Sequence, residues 1–169
     1  MKLRIEHTWD GRPVGGDEAA EVRLSFADRA LRIEVDAPFH GDPAPDGQGS
    51  TPGLWDYEVV EVFLLGEGER YTEIELGPHG HHLVLMLEGE RNAVHQGTLL
   101  DYAVERQADR WTGVARVPLG WLPPDCDRLN AYAIHGRGED RRYLAWRPTL
   151  GAAPDFHRLE RFGRWPTTP

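Results

Sequence analysis

The sequence predicts an all-β fold, an antiparallel β-sandwich built as a single domain over residues 1–169. Short segments in which apolar and polar residues alternate recur along the chain, with turn-forming Gly, Pro, Asp and Asn residues between them. No segment shows the periodicity of an amphipathic helix of ordinary length. Short strands at regular spacing, separated by turn signals, are typical of antiparallel sandwiches and barrels.

The first part of the chain is predicted to contain one strand, one hairpin and one long loop. Residues 3–8 alternate, and residues 21–26 and 31–35 alternate on either side of a turn at residues 28–29. Residues 38–53 contain four prolines and four glycines with few apolar side chains. We therefore expect a surface loop there, of a length that often has a functional role.

The central hairpin contains an acid at an unusual position. Residues 57–65 are rich in Val, Phe and Leu, residues 70–76 alternate, and a glycine-rich turn joins them. Because successive side chains of a strand point to opposite faces, Glu61 shares a face with Val59 and Phe63. A buried carboxylate without a partner costs several kcal/mol. Glu61 therefore indicates a paired acid or a pocket that water or a ligand can reach.

The register of this hairpin decides which carboxyl groups meet. If Leu65 pairs with Arg70, Glu61 faces an isoleucine and the acids separate. If Leu65 pairs with Tyr71, Glu61 faces Glu75 on one shared face, and the pattern alone does not choose between the two registers. Two adjacent carboxylates could act as general acid and base in glycoside hydrolysis, or could hold a hard cation.

The second half of the chain continues the strand pattern. The predicted strands are residues 82–87, 102–107, 111–117, 129–135 and 142–147. Residues 92–97 are predicted to be loop, and residues 118–124 form at most one helical turn because prolines flank it. In the tail, Asp155 is placed to cap a short helical turn over residues 155–157.

The composition excludes several classes of protein. A net charge of −9 argues against nucleic acid or an anionic membrane as a partner, and no apolar run reaches transmembrane length. No signal peptide is visible, and the single Cys126 suits a reducing compartment. We expect a cytoplasmic protein that is a monomer or a weak homodimer. No cofactor is expected, because the chain has no phosphate loop, dinucleotide fingerprint or catalytic serine elbow.

Histidines and tryptophans supply further candidate site residues. His79 and His81 stand two residues apart, a spacing that on a strand could bind zinc. Hydrogen-bonded structural histidines are the alternative interpretation. Trp55 and Trp146 lie at the ends of predicted strands, where an indole could cover the apolar face of a sugar ring. The alternative is that both rings close the ends of the core.

Three stretches resemble the family 9 carbohydrate-binding modules and their DOMON-like relatives. Residues 55–64 are similar to their W-x-D-x-x-V-E-V-F strand, residues 71–75 to the strand that follows it, and residues 143–163 to their closing segment. The resemblance covers residues 3–165 and implies a sandwich of jelly-roll or immunoglobulin-like type with a sugar site. The motifs LWDYEVVE and PHGxHLVL are closer still to a group of uncharacterised small bacterial and animal proteins.

In the sugar-binding modules, two tryptophans enclose a sugar and an acid six residues after the first tryptophan binds it, a spacing that Trp55 and Glu61 match. The family's sugar-binding arginine would fall near Thr72, where this chain has none. The resemblance therefore implies a non-catalytic protein whose partner is a small carbohydrate-like ligand. The candidate ligand-binding residues are Trp55, Glu58, Glu61, Glu73, His79, His82, His135, Trp146 and His157.

Two alternatives remain open at the level of sequence. The first is a hydrolase or isomerase that acts on a sugar-like metabolite through Glu61 and a histidine as an acid–base pair. The second is a metal-binding module that uses the segment around His79 and His81.

Overall fold

In a computed structural model, which describes residues 1–97 and 99–165, the chain forms two antiparallel β-sheets packed face to face. This confirms the predicted all-β sandwich. In spatial order, the five-stranded sheet contains β1 (Lys2–Ile5), β3 (Ala20–Ala27), β4 (Ala30–Pro38), β10 (Arg110–Pro118) and β9 (Asp101–Arg106). Among the described residues, no helix is long and apolar enough to cross a membrane.

The larger sheet has eight strands and contains the central hairpin. Its spatial order is β2 (His7–Thr8), β12 (Arg142–Ala145), β11 (Arg128–His135), β5 (Val59–Leu65), β6 (Arg70–Leu76), β7 (His82–Glu88) and β8 (Ala93–Gln96). The short strand β13 (Gly163–Arg164) pairs with β11 beside this path.

Strand alternation determines which side chains of the larger sheet face the smaller one. The inner face is apolar and contributes Val60, Val62, Leu64, Ile74, Leu76, Val84, Ala131 and Leu144 to the core between the sheets. Burying such side chains stabilises each by roughly 1.5–3 kcal/mol relative to exposure. This core holds the two sheets together.

The outer face of the larger sheet is also buried, because two chain segments cover it. One is the 3₁₀ turn Leu54–Asp56, and the other runs from residue 154 to the 3₁₀ turn Leu159–Arg161. Leu54, Phe156 and Phe162 from these segments pack in a second apolar cluster with outer-face side chains of the sheet. All seven residues of β5 are therefore buried.

The hairpin adopts the register that brings the acids together. Leu65 pairs with Tyr71, and Glu61 pairs with Glu75. The next pair on the same face, Phe63 with Glu73, also includes an acid. The turn packs closely against the chain at Gly66, where a Cβ atom would lie 2.1 Å from the carbonyl oxygen of Pro124. A glycine at this position permits that approach.

The predicted elements differ from the observed ones mainly at sheet edges. Residues 93–96 form β8, whereas the sequence predicted a loop, because all four side chains are exposed on an edge strand and show no alternation. The predicted turn near residue 120 is the 3₁₀ turn Leu119–Trp121. Asp155 accepts a hydrogen bond from the backbone N–H of His157 (3.0 Å), but the helical turn predicted over residues 155–157 is wrong, because the 3₁₀ turn begins only at Leu159.

Candidate functional site

A cavity of about 430 Å³ opens on the outer face of the larger sheet. Strands β5, β6, β7, β11 and β12 supply its floor and sides, and the two covering segments form its walls. The lining includes Trp55, Asp56, Glu61, Phe63, Glu73, Leu85, Arg91, Ile134, Arg141, Tyr143, Asp155, Phe156 and His157. A volume of this size falls in the range of pockets that bury small-molecule ligands.

The floor of the cavity consists of carboxyl groups. Glu61 and Glu73 line it, and Glu75 lies beside them on the same face of the hairpin. Glu61 is 1% exposed and Glu75 is 0% exposed. Among the described residues, Glu61 Oε1, Glu73 Oε2 and both carboxyl oxygens of Glu75 have no hydrogen-bond partner. Buried polar atoms are normally satisfied, so these oxygens indicate a place where a ligand or solvent completes the structure.

Burial and mutual repulsion raise the pKa of all three carboxyl groups. Burial raises the pKa of Glu73 to about 8, with opposing contributions from the adjacent Glu75 carboxyl group and the charge of Arg91. Burial and the neighbouring charge of Glu73 raise the pKa of Glu61 well above its usual range, and Arg141 partly opposes this shift. Burial and both other acids raise the pKa of Glu75. Burial therefore favours the protonated form of these three acids.

Two arginines border the cavity, and both have partners elsewhere. Arg91 forms an ion pair with Asp155 (Nη2 to Oδ1, 2.6 Å). Arg141 donates to the backbone carbonyl oxygens of Trp55 (2.6 Å), Asp56 (2.9 Å) and Gly136 (3.1 Å). Neither forms a salt bridge to the floor among the residues that the structure describes.

These arginines were not predicted from the sequence. The expected position, Thr72, lies on the inner face and donates to the carbonyl oxygen of Trp121. Arg70 donates to the backbone carbonyl oxygen of Glu67 and does not line the cavity. Arg91 and Arg141 come from turns outside the hairpin, so the hairpin motif contains no signal for them.

His157 is a neutral hydrogen-bond donor in the cavity wall. The hydroxyl oxygen of Tyr71 accepts from the backbone N–H of Arg91 (3.0 Å) and lies 2.7 Å from His157 Nδ1. We assign the Tyr71 hydroxyl group as the donor to Nδ1, which places the ring proton on Nε2. Burial and the charge of Arg91 lower the pKa of His157 to about 4, so the ring is uncharged at neutral pH.

Aromatic rings form the upper part of the cavity. Trp55 is 42% exposed at the rim, and Tyr143 and Phe156 line the wall. Phe156 stacks on Tyr132 with a centroid separation of 3.8 Å, which fixes its position. An exposed indole above a polar floor can cover an apolar ligand face while the floor binds polar groups.

Four of the nine predicted site residues line this cavity: Trp55, Glu61, Glu73 and His157. The other five lie outside it. Glu58 is buried beneath the long loop, where it accepts hydrogen bonds from the backbone N–H groups of His40 (2.9 Å) and Asp42 (3.2 Å). Its contacts anchor residues 39–53 to the sheet.

The histidines at residues 79–82 also hold the long loop. His79 and His81 precede β7 and are not on a strand, and their Nε2 atoms lie 3.0 Å from the carbonyl oxygens of Asp42 and Gly47. His82 Nε2 accepts from the backbone N–H of Leu100 (3.1 Å). Within residues 1–97 and 99–165, no three His, Cys, Asp or Glu side chains are arranged to hold a metal ion. The strand geometry assumed for a zinc pair is therefore wrong.

The last two predicted residues, His135 and Trp146, lie in other parts of the molecule. His135 stacks on His40 (3.5 Å between ring centroids), and its Nε2 atom lies 3.1 Å from Glu18. Trp146 packs against the core between the sheets. Tyr143 occupies the cavity instead, because it shares a strand face with Ala145, which packs on the outer side. Strand alternation through β12 was the signal that favoured Tyr143 over Trp146.

Comparison with known proteins places the chain in a family. No protein-family model matches it. It is 44% identical over 172 residues to UPF0462 protein C4orf33 of Homo sapiens, an alignment that covers 96% of this chain and 86% of the human protein. The homologue in Danio rerio is 42% identical, with 96% and 87% covered.

A solved structure shares the fold. The crystal structure of a "putative carbohydrate-binding protein" from Bacteroides uniformis matches with a TM-score of 0.75 and 16% identity, covering 97% of this chain and 84% of that one. At this identity the match shows the β-sandwich architecture alone. The sequence relatives show more: the chain belongs to the UPF0462 family.

Proposed function

We propose that the outer-face cavity binds a small carbohydrate or sugar-like metabolite and does not change it chemically. The observation that carries this proposal is the combination of Glu61 and Glu73, buried with unpaired oxygens, and Trp55, exposed above them. A sugar has hydroxyl groups on its edge and apolar C–H groups on its faces. It is therefore complementary to carboxyl groups on one side and an indole on the other.

Each group has a distinct part in this binding mode. Trp55 stacks on the ring, and the carboxyl groups of Glu61 and Glu73 exchange hydrogen bonds with hydroxyl groups. The Nε2–H group of His157 donates to a ligand oxygen, while Tyr71 holds the ring in that tautomer. Bound hydroxyl groups supply the partners that the floor lacks in the empty cavity.

Two comparisons support the proposal. The Bacteroides uniformis protein of the same fold is named a "putative carbohydrate-binding protein". The spacing of Trp55 and Glu61 matches the sugar-binding tryptophan and acid of the family 9 modules, and both residues line one cavity. The single-domain organisation, the cytoplasmic location and the monomeric or weakly dimeric state remain predictions.

Isothermal titration calorimetry with mono- and oligosaccharides tests the proposal. We expect binding to the wild type, and a loss of about tenfold or more in affinity for Trp55→Ala, because stacking and buried apolar area are removed. Phe26→Ala is the matched control, since Phe26 is an exposed aromatic residue (38%) on the smaller sheet. No binding at millimolar sugar, or equal binding by Trp55→Ala, would reject the proposal.

Acid–base catalysis on a sugar-like metabolite is the second candidate. The observation that favours it is a carboxyl group, Glu61, with a raised pKa in the same cavity as His157. A protonated acid near neutral pH can donate a proton to a ligand oxygen. Proton NMR of reducing sugars and glycosides incubated with the protein would reveal product. Turnover that Glu61→Gln abolishes supports this candidate, and the absence of turnover rejects it.

A further inference from the structure

The floor of the cavity has acidic groups that form no salt bridge with any residue in the described part of the chain. Glu61, Glu73 and Glu75 lie on one face, and four of their six carboxyl oxygens have no hydrogen-bond partner within the described chain. The two nearby guanidinium groups are held by Asp155 and by backbone carbonyl oxygens. Buried carboxyl groups are normally paired with a cation or hydrogen-bonded. Here a ligand would have to supply that partner.

The rings around the floor favour a cation over an equally polar neutral group. Phe63 pairs across the hairpin with Glu73, and Trp55 and Phe156 line the same cavity, whereas Arg141 lies over the ring of Tyr143, 5.7 Å from its centroid. The face of an aromatic ring has negative electrostatic potential and attracts ammonium groups, most strongly when water is excluded. Carboxyl groups and aromatic rings line one cavity, and both favour a cation there.

We propose that the ligand of this cavity carries a protonated amine, and that its ammonium group binds over Glu61 and Glu73. This inference rests on the proposed function, and it narrows the ligand class from sugars in general to amino sugars and related sugar-like amines. The three N–H bonds of an ammonium group donate to carboxyl oxygens. Carboxyl groups that are protonated in the empty cavity release their protons to solvent as the cation binds.

An organic cation fits the site better than a metal ion. No three His, Cys, Asp or Glu side chains of the described residues have a metal-binding arrangement, and the walls of the cavity are largely apolar. A compact metal ion prefers several oxygen ligands around one point, whereas an amine attached to a ring also uses apolar walls.

Other ionisable groups face the same space and contribute to its pH dependence. The charged neighbours are Asp56, Arg91, Arg141 and Asp155. The titratable neighbours are Tyr71, Tyr132, Tyr143 and His157. The two arginines and two aspartates balance in formal charge, and we expect proton release on binding to come from Glu61, Glu73 and Glu75.

Calorimetric titration with three sugars that share one ring and differ only at carbon 2 tests the inference. The probes are D-glucosamine, D-glucose and N-acetyl-D-glucosamine, each titrated at pH 7 in phosphate and in MOPS, because Tris is itself a hydroxylated ammonium ion. We expect glucosamine to bind about tenfold or more tightly than either neutral sugar, because charged hydrogen bonds exceed neutral ones. The observed heat for glucosamine should depend on the buffer, which reports proton release, whereas the heat for glucose should not.

Variants locate the effect within the cavity. Glu61→Gln should reduce the affinity for glucosamine by about tenfold and bring it close to that for glucose. Glu34→Gln removes one negative charge from the smaller sheet and should change neither affinity. The proton-release measurement uses the wild-type protein and does not depend on the stability of any variant.

The outcomes separate this inference from the proposed function. If glucose binds as tightly as glucosamine, the cation is rejected while sugar binding stands. If no sugar binds, both fail. CaCl₂ is titrated as a competitor of glucosamine. If calcium displaces glucosamine, and if calcium no longer binds to Glu61→Gln, the cation that the floor binds is a metal ion and the amine is rejected.

Discussion

The two faces of the larger sheet are made by the same strands but differ in polarity and in how they are covered. The inner face of β5 and β6 is apolar, with Thr72 as its polar member, whereas their outer face includes Glu61, Glu73 and Glu75. A regular second sheet covers the inner face, and irregular segments cover the outer one. Sheet-on-sheet packing fills its interface, while the covering segments leave a cavity.

The difference shows where a sandwich of this size can place a binding site. A core between two sheets has little room for polar groups, since each must find a partner in a close-packed interior. The outer face accommodates three acids because the cavity lets solvent or a ligand reach two of them. The covering segments also contribute Trp55 and His157, which no strand of the sheet could supply.

The largest effect on stability is expected when a carboxyl group is placed on the inner face of the larger sheet. Val62→Glu places a carboxyl group in the closed core between the sheets, and we expect it to lower the free energy of unfolding by about 4 kcal/mol or more. Its neighbour Glu61 tolerates Gln with little loss, because that position faces the cavity. Urea denaturation compares the two variants. If both variants are destabilised equally, the claim that the outer face accommodates polar side chains better than the inner face is wrong.

The second effect is a pH dependence from the outer-face acids. The pKa of Glu73 is raised from 4.5 to about 8 in the folded protein, so the folded state binds a proton more tightly than the unfolded state. The contribution of Glu73 to stability is present below pH 4.5 and is lost as the pH rises towards 8.

Glu73→Gln should therefore be more stable than the wild type at pH 8 by a few kcal/mol, with the advantage vanishing near pH 4.5. Denaturation curves for both proteins across this pH range give the difference directly. A stability difference that does not vary with pH would contradict the raised pKa.

A smaller effect is expected from the support of His157. Tyr71→Phe removes the hydroxyl group that bonds His157 Nδ1 and accepts from Arg91, and should cost about 1 kcal/mol of stability. It should also release the ring tautomer, which ¹⁵N NMR of His157 detects. An unchanged ¹⁵N spectrum for His157 would show that Tyr71 does not hold the tautomer.

The smallest effect is expected on the solvent-facing side of the smaller sheet. Arg32 and Glu34 form a salt bridge (2.9 Å) between side chains that are 33% and 39% exposed. Such exposed pairs contribute little to stability, because water screens them. Glu34→Gln should therefore shift the urea midpoint only slightly. A large shift would show that charged pairs on the solvent-facing side of the smaller sheet contribute substantially to stability.

Part of the candidate site could be predicted from the sequence, and there is a physical reason why the other residues could not. Trp55, Glu61 and Glu73 fall within one hairpin and its approach, so local alternation and spacing identify them. Arg91 and Arg141 reach the cavity from turns whose position depends on tertiary packing. Glu58 looks equivalent to Glu61 by residue type, yet it binds loop backbone, because it precedes β5 beneath residues 39–53.

The sequence by itself determined the strands and the face that each side chain of the hairpin shares, because alternation is a local property of extended backbone. The tertiary structure alone decided that Leu65 pairs with Tyr71 and that two distant segments cover the outer face. Register and cover depend on contacts between residues far apart in the chain, such as Gly66 with Pro124 and Tyr71 with His157. Those contacts make Glu61 and Glu73, with Glu75 beside them, part of the lining of a cavity.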